Sequence, residues 1–310
     1  MRFVYNPLSA GCFDYSTMGV SDIIVSMKVT ILGSGTSHGV PVVGCSCPVC
    51  VSEDSRDKRT RSSVYIEGSG GERALIDAGP EFRLQAIGAG IKRLDAIFLT
   101  HAHADHVHGL DDVRSLTWDH SLPVYGNKGT VEEVRERFSY IWKETQRGGG
   151  KPKLELIAVN EPVQIGAIRF VPVPVKHGNL DILGWKVTDG SGKCFLYLTD
   201  TSSIPKSTQN RLLNSRPHDE QSRDSQNLHV VIIGGLRVKP HETHFTFEEA
   251  MDAAFGLGAG KIYLTHICHS HFHTEIEEIC SDFMKNQRIS TQLLKETEIY
   301  PAHDGLELYL

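Results

Sequence analysis

The segment FLTHAHADHVHGL, residues 98–110, decides how the rest of the chain is read. It opens as an apolar strand and then places His101, His103, Asp105 and His106 within six positions. A strand end followed by H-x-H-x-D-H throws two imidazoles one way. A helix starting near Asp105 turns a carboxylate and a third imidazole toward the same space. Imidazole and carboxylate donors suit zinc, manganese or iron, and donors this dense suit two ions. A solvated His-rich loop has no need of such spacing directly after a strand.

The composition around this segment is that of a globular protein. A chain of 310 residues can bury a large core, as one big α/β domain or two smaller ones. Its formal charge of -6, with 23% charged residues, shows no basic excess of the kind that announces a nucleic-acid binder. No apolar run reaches the roughly 18–20 residues of a membrane span. Sixteen His and seven Cys, three of them at 45, 47 and 50, favour metal binding over a disulfide scaffold. They favour a reducing, cytoplasmic setting on the same grounds.

Residues 1–26 carry one basic residue and no long apolar core, which disfavours a secretory signal. Met27 stands directly before the strand-like KVTILGSG. The expectation is a disordered extension over 1–26, with organelle targeting left open, and one folded domain over 27–310.

From Met27 onward, β-branched runs predict strands at Lys28–Leu32, Ser63–Glu67, Ala74–Asp77, Asp95–Thr100, Ile168–Val175, Cys194–Thr199, His229–Ile233 and Lys261–Thr265. Helical periodicity fits Asp105–Asp119, Thr130–Thr145, Thr246–Phe255 and Thr274–Lys285. This alternation indicates a layered α/β or α+β domain. RGGGKP (147–152) reads as a flexible link and 214–227 as a polar surface insertion.

Two metals need further ligands. His177 follows the strand FVPVPV, Asp200 ends FLYLTD and His266 ends IYLTH, so one rim can collect all three. An aspartate between two cations can bridge them, because its oxygens accept separately. GSGTSHGVP (33–41), LIDAGP (75–80), THAHADH (100–106), His177, LTD (198–200) and LTHICH (264–269) follow the order of the metallo-β-lactamase superfamily. The chain resembles that family from about Met27 to Leu310. The resemblance implies an αββα sandwich with a dinuclear centre at one edge of its two sheets. One metal would take His101, His103 and His177, and the other Asp105, His106 and His266, with Asp200 bridging. Asp77 would orient ligands without binding metal.

GCSCPVC (44–50) resembles one branch of that superfamily, which contains the phosphoribosyl cyclic phosphodiesterase of the carbon–phosphorus lyase pathway. There, thiolates spaced C-x-C-x-x-C share a structural zinc with a histidine just after the last catalytic ligand. Here that implies Cys45, Cys47, Cys50 and His269. A Cys₃His set is closed, with no open position for substrate. Cys268, which would make the set Cys₄, and His271 remain competing candidates, and three free thiols are the alternative without metal. A redox role lacks its βαβ context. Cys12, Cys194 and Cys280 read as ordinary apolar or surface cysteines.

Two divalent cations sharing a water lower its pKa enough to supply hydroxide near neutral pH, for attack on phosphorus or a carbonyl carbon. The pattern H-x-T-x-x-E-A at 244–250 resembles the phosphodiesterase branch, which implies that His244 contacts phosphate or protonates the leaving group. His244 and the metal-ligating Asp105 are the residues expected to be catalytic. His241 reads as a surface residue or a substitute for His244, His38 as a turn residue or a site neighbour, and Thr243 and Thr246 as helix caps. VIIGGLR (231–237) departs from that branch, which often has aspartate at the place of Gly234 or Gly235.

The expected function is therefore a phosphodiesterase of small cyclic or nucleotide-like phosphodiesters, with two active-site Zn or Mn ions and one structural Zn. The tRNA 3′-end endonuclease reading wants a basic arm that this net acidic chain lacks, so nucleic acid is a disfavoured partner. Thioester or lactam hydrolysis uses the same scaffold and stays open. A non-catalytic binding protein would be expected to have lost ligands. No membrane association is expected, and homodimerisation is left open.

Overall fold

Phe98 stacks on Phe170 with ring centroids 3.8 Å apart and meets Trp185 edge-on at 4.9 Å. These three aromatics join two sheets. The computed structural model describes residues 27–144, 150–214, 228–290 and 297–310. The extension over 1–26 with Cys12, half of the 147–152 link and nearly all of the 214–227 insertion lie outside the described residues.

Among the described residues the first sheet runs β14 (Glu307–Tyr309), β1 (Met27–Gly33), β2 (Ser63–Gly68), β3 (Arg73–Ile76), β4 (Ala96–Phe98), β5 (Leu122–Gly126) and β6 (Leu154–Ala158). The second runs β13 (Glu298–Pro301), β12 (Lys261–Thr265), β11 (Val230–Gly234), β10 (Cys194–Leu198), β9 (Leu180–Thr188), β8 (Ile168–His177) and β7 (Val163–Ile165). Helices α1 (Phe82–Gly88), α2 (Ala104–Val107) and α3 (Lys128–Arg137) pack on the outer face of the first sheet. Helices α4 (Lys206–Asn214), α5 (Phe247–Gly256) and α6 (His273–Ser290) pack on that of the second. The expected αββα sandwich is the architecture found.

Strand β10 shows why the layers form. All five of its residues are buried, because both of its faces are covered. Side chains alternate across a strand, so Phe195 and Tyr197 enter the core between the sheets while Cys194, Leu196 and Leu198 meet the helices. Strands β3 to β6 are mutually parallel, and so are β10 to β13. Their carboxyl ends therefore point one way, and the residues just past them gather at one edge.

Every predicted strand is present, all but Lys261–Thr265 with one or both ends shifted. The largest strand that the sequence reading missed is β9, whose Gly184 and Lys186 interrupt the apolar pattern. A Cβ on Gly184 would come within 2.3 Å of Leu198 Cδ2, so close strand approach explains the glycine. The helix expected over Asp105–Asp119 is instead one α-turn, α2, followed by a 3₁₀ segment, His108–Leu116. Gly109 N donates to Ala78 O and Ala78 N to His106 O, so the strand end at Ala78 takes the backbone groups a longer helix would use. The helix expected over Thr130–Thr145 stops at Arg137.

At α5, Thr246 Oγ1 accepts from Glu249 N and Glu249 Oε2 accepts from Thr246 N, a reciprocal capping box. Thr243, the other cap expected there, plays no part in it. Thr246→Ala should lower stability by about 1 kcal/mol, read as a shifted denaturant midpoint at unchanged slope. No helix among the described residues is long and apolar enough to cross a membrane.

Candidate metal centre

The edge at the strand ends collects the residues singled out in the sequence. Asp77 follows β3, His101 and His103 follow β4, Asp200 follows β10 and His266 follows β12. Asp77, Asp200 and His266 have φ of 60°, 52° and 57°, the left-handed region that side chains rarely occupy. Such backbone persists only where its surroundings over-determine it, and it clusters at functional sites. Here each turn swings a side chain off its strand and into the shared space.

Three groups of potential ligand atoms, each within 4.8 Å of one another, share this edge: His101, His103 and His177; Asp105, His106, Asp200 and His266; and His177, Asp200 and His244. Asp200 stands between them. Its Oδ2 lies 3.2 Å from His106 Nε2, and its Oδ1 lies 3.1 Å from both His266 Nε2 and His244 Nε2.

The other ring nitrogens are held from behind. His106 Nδ1 lies 2.7 Å from Asp77 Oδ2, and His177 Nδ1 donates to Thr243 O at 2.7 Å. Ser62 Oγ lies 3.2 Å from His266 Nδ1, and Thr100 Oγ1 lies 3.0 Å from His101 Nδ1. Asp77, fully buried, also accepts from Thr100 N and Thr100 Oγ1, both at 2.8 Å.

Burial drives His101 well below the usual histidine range and His266 to about 4, which leaves both neutral, as metal ligation requires. Burial opposes protonation of His106 as well. Asp200, Asp77 and Asp105 outweigh that opposition and hold its pKa well above the usual range. The three carboxylates converging on this ring are an excess of negative charge that a divalent cation would balance.

The residues fit divalent metal. His101 Nε2 is buried without a hydrogen-bond partner, and His106 Nε2 has the carboxylates of Asp105 and Asp200 beside it, each at 3.2 Å. A polar atom buried with nothing to bond to is costly, and a metal removes that cost. Asp77→Asn leaves His106 without its carboxylate. It should weaken metal retention by about 10–100-fold, measured by chelator competition on a folded variant.

A fourth group lies apart from this centre. Cys45, Cys47 and Cys50 converge on His269, whose Nδ1 stands 3.5, 3.4 and 3.4 Å from their sulfurs. Zinc bonds of ~2.3 Å to sulfur and ~2.0 Å to nitrogen, at a tetrahedral angle, set those atoms about 3.5 Å apart. Cys268, the competing candidate, turns its thiol to Ser270 Oγ at 3.0 Å, and the His271 ring packs edge-on against Phe247. The structure brings His269 to the three thiols, and neither alternative.

His244 reaches Asp200, as described. His241 is exposed, yet its Nδ1 lies 3.2 Å from His244 Nδ1. His38 is exposed and belongs to none of the ligand groups. Sequence reasoning missed Thr36, whose Oγ1 lies 3.1 Å from His266 Nε2, although it sits inside the quoted GSGTSHGVP motif. It also missed Ser62 and Asp304, which carry no local signal. Asp304 accepts from the amide and hydroxyl of both Ser34 and Thr60, tying the C-terminal segment to the loops around the site.

Residues 72–267 match the family model described as the Beta-lactamase superfamily domain. The crystal structure of a new diphosphatase from the PhnP family is 37% identical, with a TM-score of 0.72, over 92% of this chain and 98% of that one. An octanoyltransferase of Porphyromonas gingivalis is 39% identical over 285 residues, 91% of this chain and 51% of its own length. A ribonuclease Z of Bradyrhizobium sp. is 33% identical over 126 residues, 38% of this chain and 41% of that protein. The chain thus spans about half or less of the length of these two curated relatives. The matched domain and the likeness to the PhnP-family structure over 92% of the chain together make the chain a member of the metallo-β-lactamase superfamily, a divalent-metal fold, on its PhnP branch.

Proposed function

We infer that the chain is a metal-dependent phosphodiesterase acting on small phosphodiesters. His101, His103 and His177 would hold one ion, Asp105, His106 and His266 a second, with Asp200 shared. Cys45, Cys47, Cys50 and His269 would hold a structural zinc. When bound, two such ions supply a nucleophile from water at neutral pH and absorb charge on the reacting oxygens.

The observation that carries the reading is His244. Its Nε2 lies 3.1 Å from Asp200 Oδ1, and the assignment above does not use it as a ligand, so an imidazole is left over at the reaction centre. A phosphodiester needs such a group, because its leaving oxygen departs as an alkoxide unless a proton is supplied. Thr243 Oγ1 lies 2.9 Å from His244 Nδ1 and fixes the ring, so Nε2 is the nitrogen turned inward. Asp105 groups with His106, Asp200 and His266, its Oδ2 3.2 Å from His106 Nε2, where its carboxylate would hold ligand geometry. The 37% identity to a PhnP-family diphosphatase supports phosphorus chemistry.

A second reading, acyl thioester hydrolysis, is favoured by the Porphyromonas gingivalis relative, named for octanoyl transfer. A turnover panel separates the two. Protein loaded with Mn or Zn is assayed on cyclic ribose phosphates, linear phosphodiesters, an octanoyl thioester and pre-tRNA. Turnover of small phosphodiesters is expected, and His244→Ala should lower it by about 10²–10⁴-fold. Turnover of the thioester alone would sink the phosphodiesterase reading.

A further inference from the structure

The Arg59 side chain is 0% exposed, and no metal-ligand group among the described residues contains it. Its guanidinium donates through Nη1 to Cys268 O at 2.9 Å and through Nη2 to His271 O at 3.2 Å. Nη2 also reaches Asp57 Oδ1 at 3.1 Å. That same Asp57 oxygen accepts from His273 N at 2.7 Å, and Asp57 Oδ2 accepts from Ser52 Oγ at 2.7 Å. The ion pair therefore grips one short arm, residues 266–273, at positions 268, 271 and 273.

That arm carries a ligand candidate for each of two separate metal groups, His266 for the dinuclear centre and His269 for the thiols. His266 is also one of the three left-handed residues. A strained residue needs neighbours that hold it. On one side the arm is held by backbone, with Ile267 N donating to Ser34 O and Cys268 N to Leu236 O. On the other side the holder is the guanidinium. The backbone of Arg59 pairs with Val40 in both directions, and a Cβ on Gly35 would lie 2.5 Å from Arg59 O. The loop that delivers Thr36 to His266 is thus wrapped around the same residue.

We propose that Arg59 is a positioning residue for His266, setting the geometry of the dinuclear centre through the carbonyls of Cys268 and His271. A buried guanidinium suits this task because its planar fork reaches two acceptors at fixed angles, which an ammonium does not. The proposal rests on the ligand assignment above and not on the phosphodiesterase reading, since metal titration needs no substrate.

The test compares the full chain with Arg59→Met and Arg59→Lys, titrated with Co(II) and followed by absorption. The thiolate-to-cobalt charge-transfer band reports the cysteine group, and the weaker d–d bands report the histidine–carboxylate group. Arg59→Met should keep the thiolate band and weaken the dinuclear group by about 10–100-fold, the effect typical of lost ligand support. On a substrate the enzyme turns over, kcat should fall more than KM rises. Arg59→Lys should recover part of the affinity. If the Met variant does not fold, Arg59→Lys carries the same comparison, again with selective weakening of the dinuclear group. Unchanged dinuclear affinity would overturn the assignment. So would loss of the thiolate band first, or parallel weakening of both groups with the melting temperature.

Discussion

Asp200→Asn is expected to reduce hydrolytic turnover by about a thousandfold or more while the fold survives. Asparagine is nearly isosteric with aspartate and is among the few residues that tolerate positive φ, so the backbone at 52° does not oppose the change. What disappears is the charge between the two ligand sets. Oδ2 faces His106, and Oδ1 faces His266 and His244. An amide cannot bridge two cations, and its NH₂ group would point a donor at a metal or at a neutral imidazole. Metal stabilisation of transition-state charge contributes several kcal/mol, and about 1.4 kcal/mol corresponds to a factor of ten in rate. Single-turnover kinetics together with metal analysis by mass spectrometry decide the matter. A variant within tenfold of the parent in rate, with full metal content, would refute a bridging role.

Replacing Cys45, Cys47 and Cys50 together with Ser should remove one equivalent of zinc and leave the dinuclear pair filled. The donors differ in kind, three thiolates and one imidazole in one group and imidazoles with carboxylates in the other, and both groups draw a residue from the arm from His266 to His269. Arg59 holds that arm independently of the thiols. The zinc would tie residues 45–50 to His269 across more than two hundred residues of sequence, and cross-links that close long loops contribute most to stability. The expected cost is a few kcal/mol, or roughly 5–10 °C in melting temperature for a chain of this size. Metal stoichiometry beside a thermal melt checks both parts. Unchanged zinc content would refute the cysteine site, and loss of every metal would refute its independence.

Most of the centre was legible in the sequence because its ligands sit in local patterns. H-x-H-x-D-H follows a strand, and Asp200 and His266 each end an apolar run. What holds those ligands was mostly illegible. Ser62, Thr36 and Thr199 surround the His266 ring; Ser62 lies in none of the quoted motifs, and the motifs that contain Thr36 and Thr199 do not say that they meet that ring. Strand β9 was missed for a related reason. Its glycine and lysine blur the alternation, yet Trp185 Nε1 donates to Leu99 O and Leu183 N to Thr100 O, locking the strand end that presents His101. The 105–119 segment was misread because its periodicity is helical, while its amide and carbonyl groups are claimed by Ala78, about thirty residues earlier.

By itself the sequence determined the layered class and singled out seven candidate metal ligands and the cysteine trio. Those depend on side-chain chemistry and on the two- and 3.6-residue periods, which are local properties. The tertiary structure decided that His269, and neither Cys268 nor His271, faces the thiols, that Asp200 stands between the ligand sets and that Arg59 grips the arm. These outcomes depend on which segments pack together and on three residues held at positive φ. Close packing and the pairing of buried polar groups settle such choices only once the whole chain has folded.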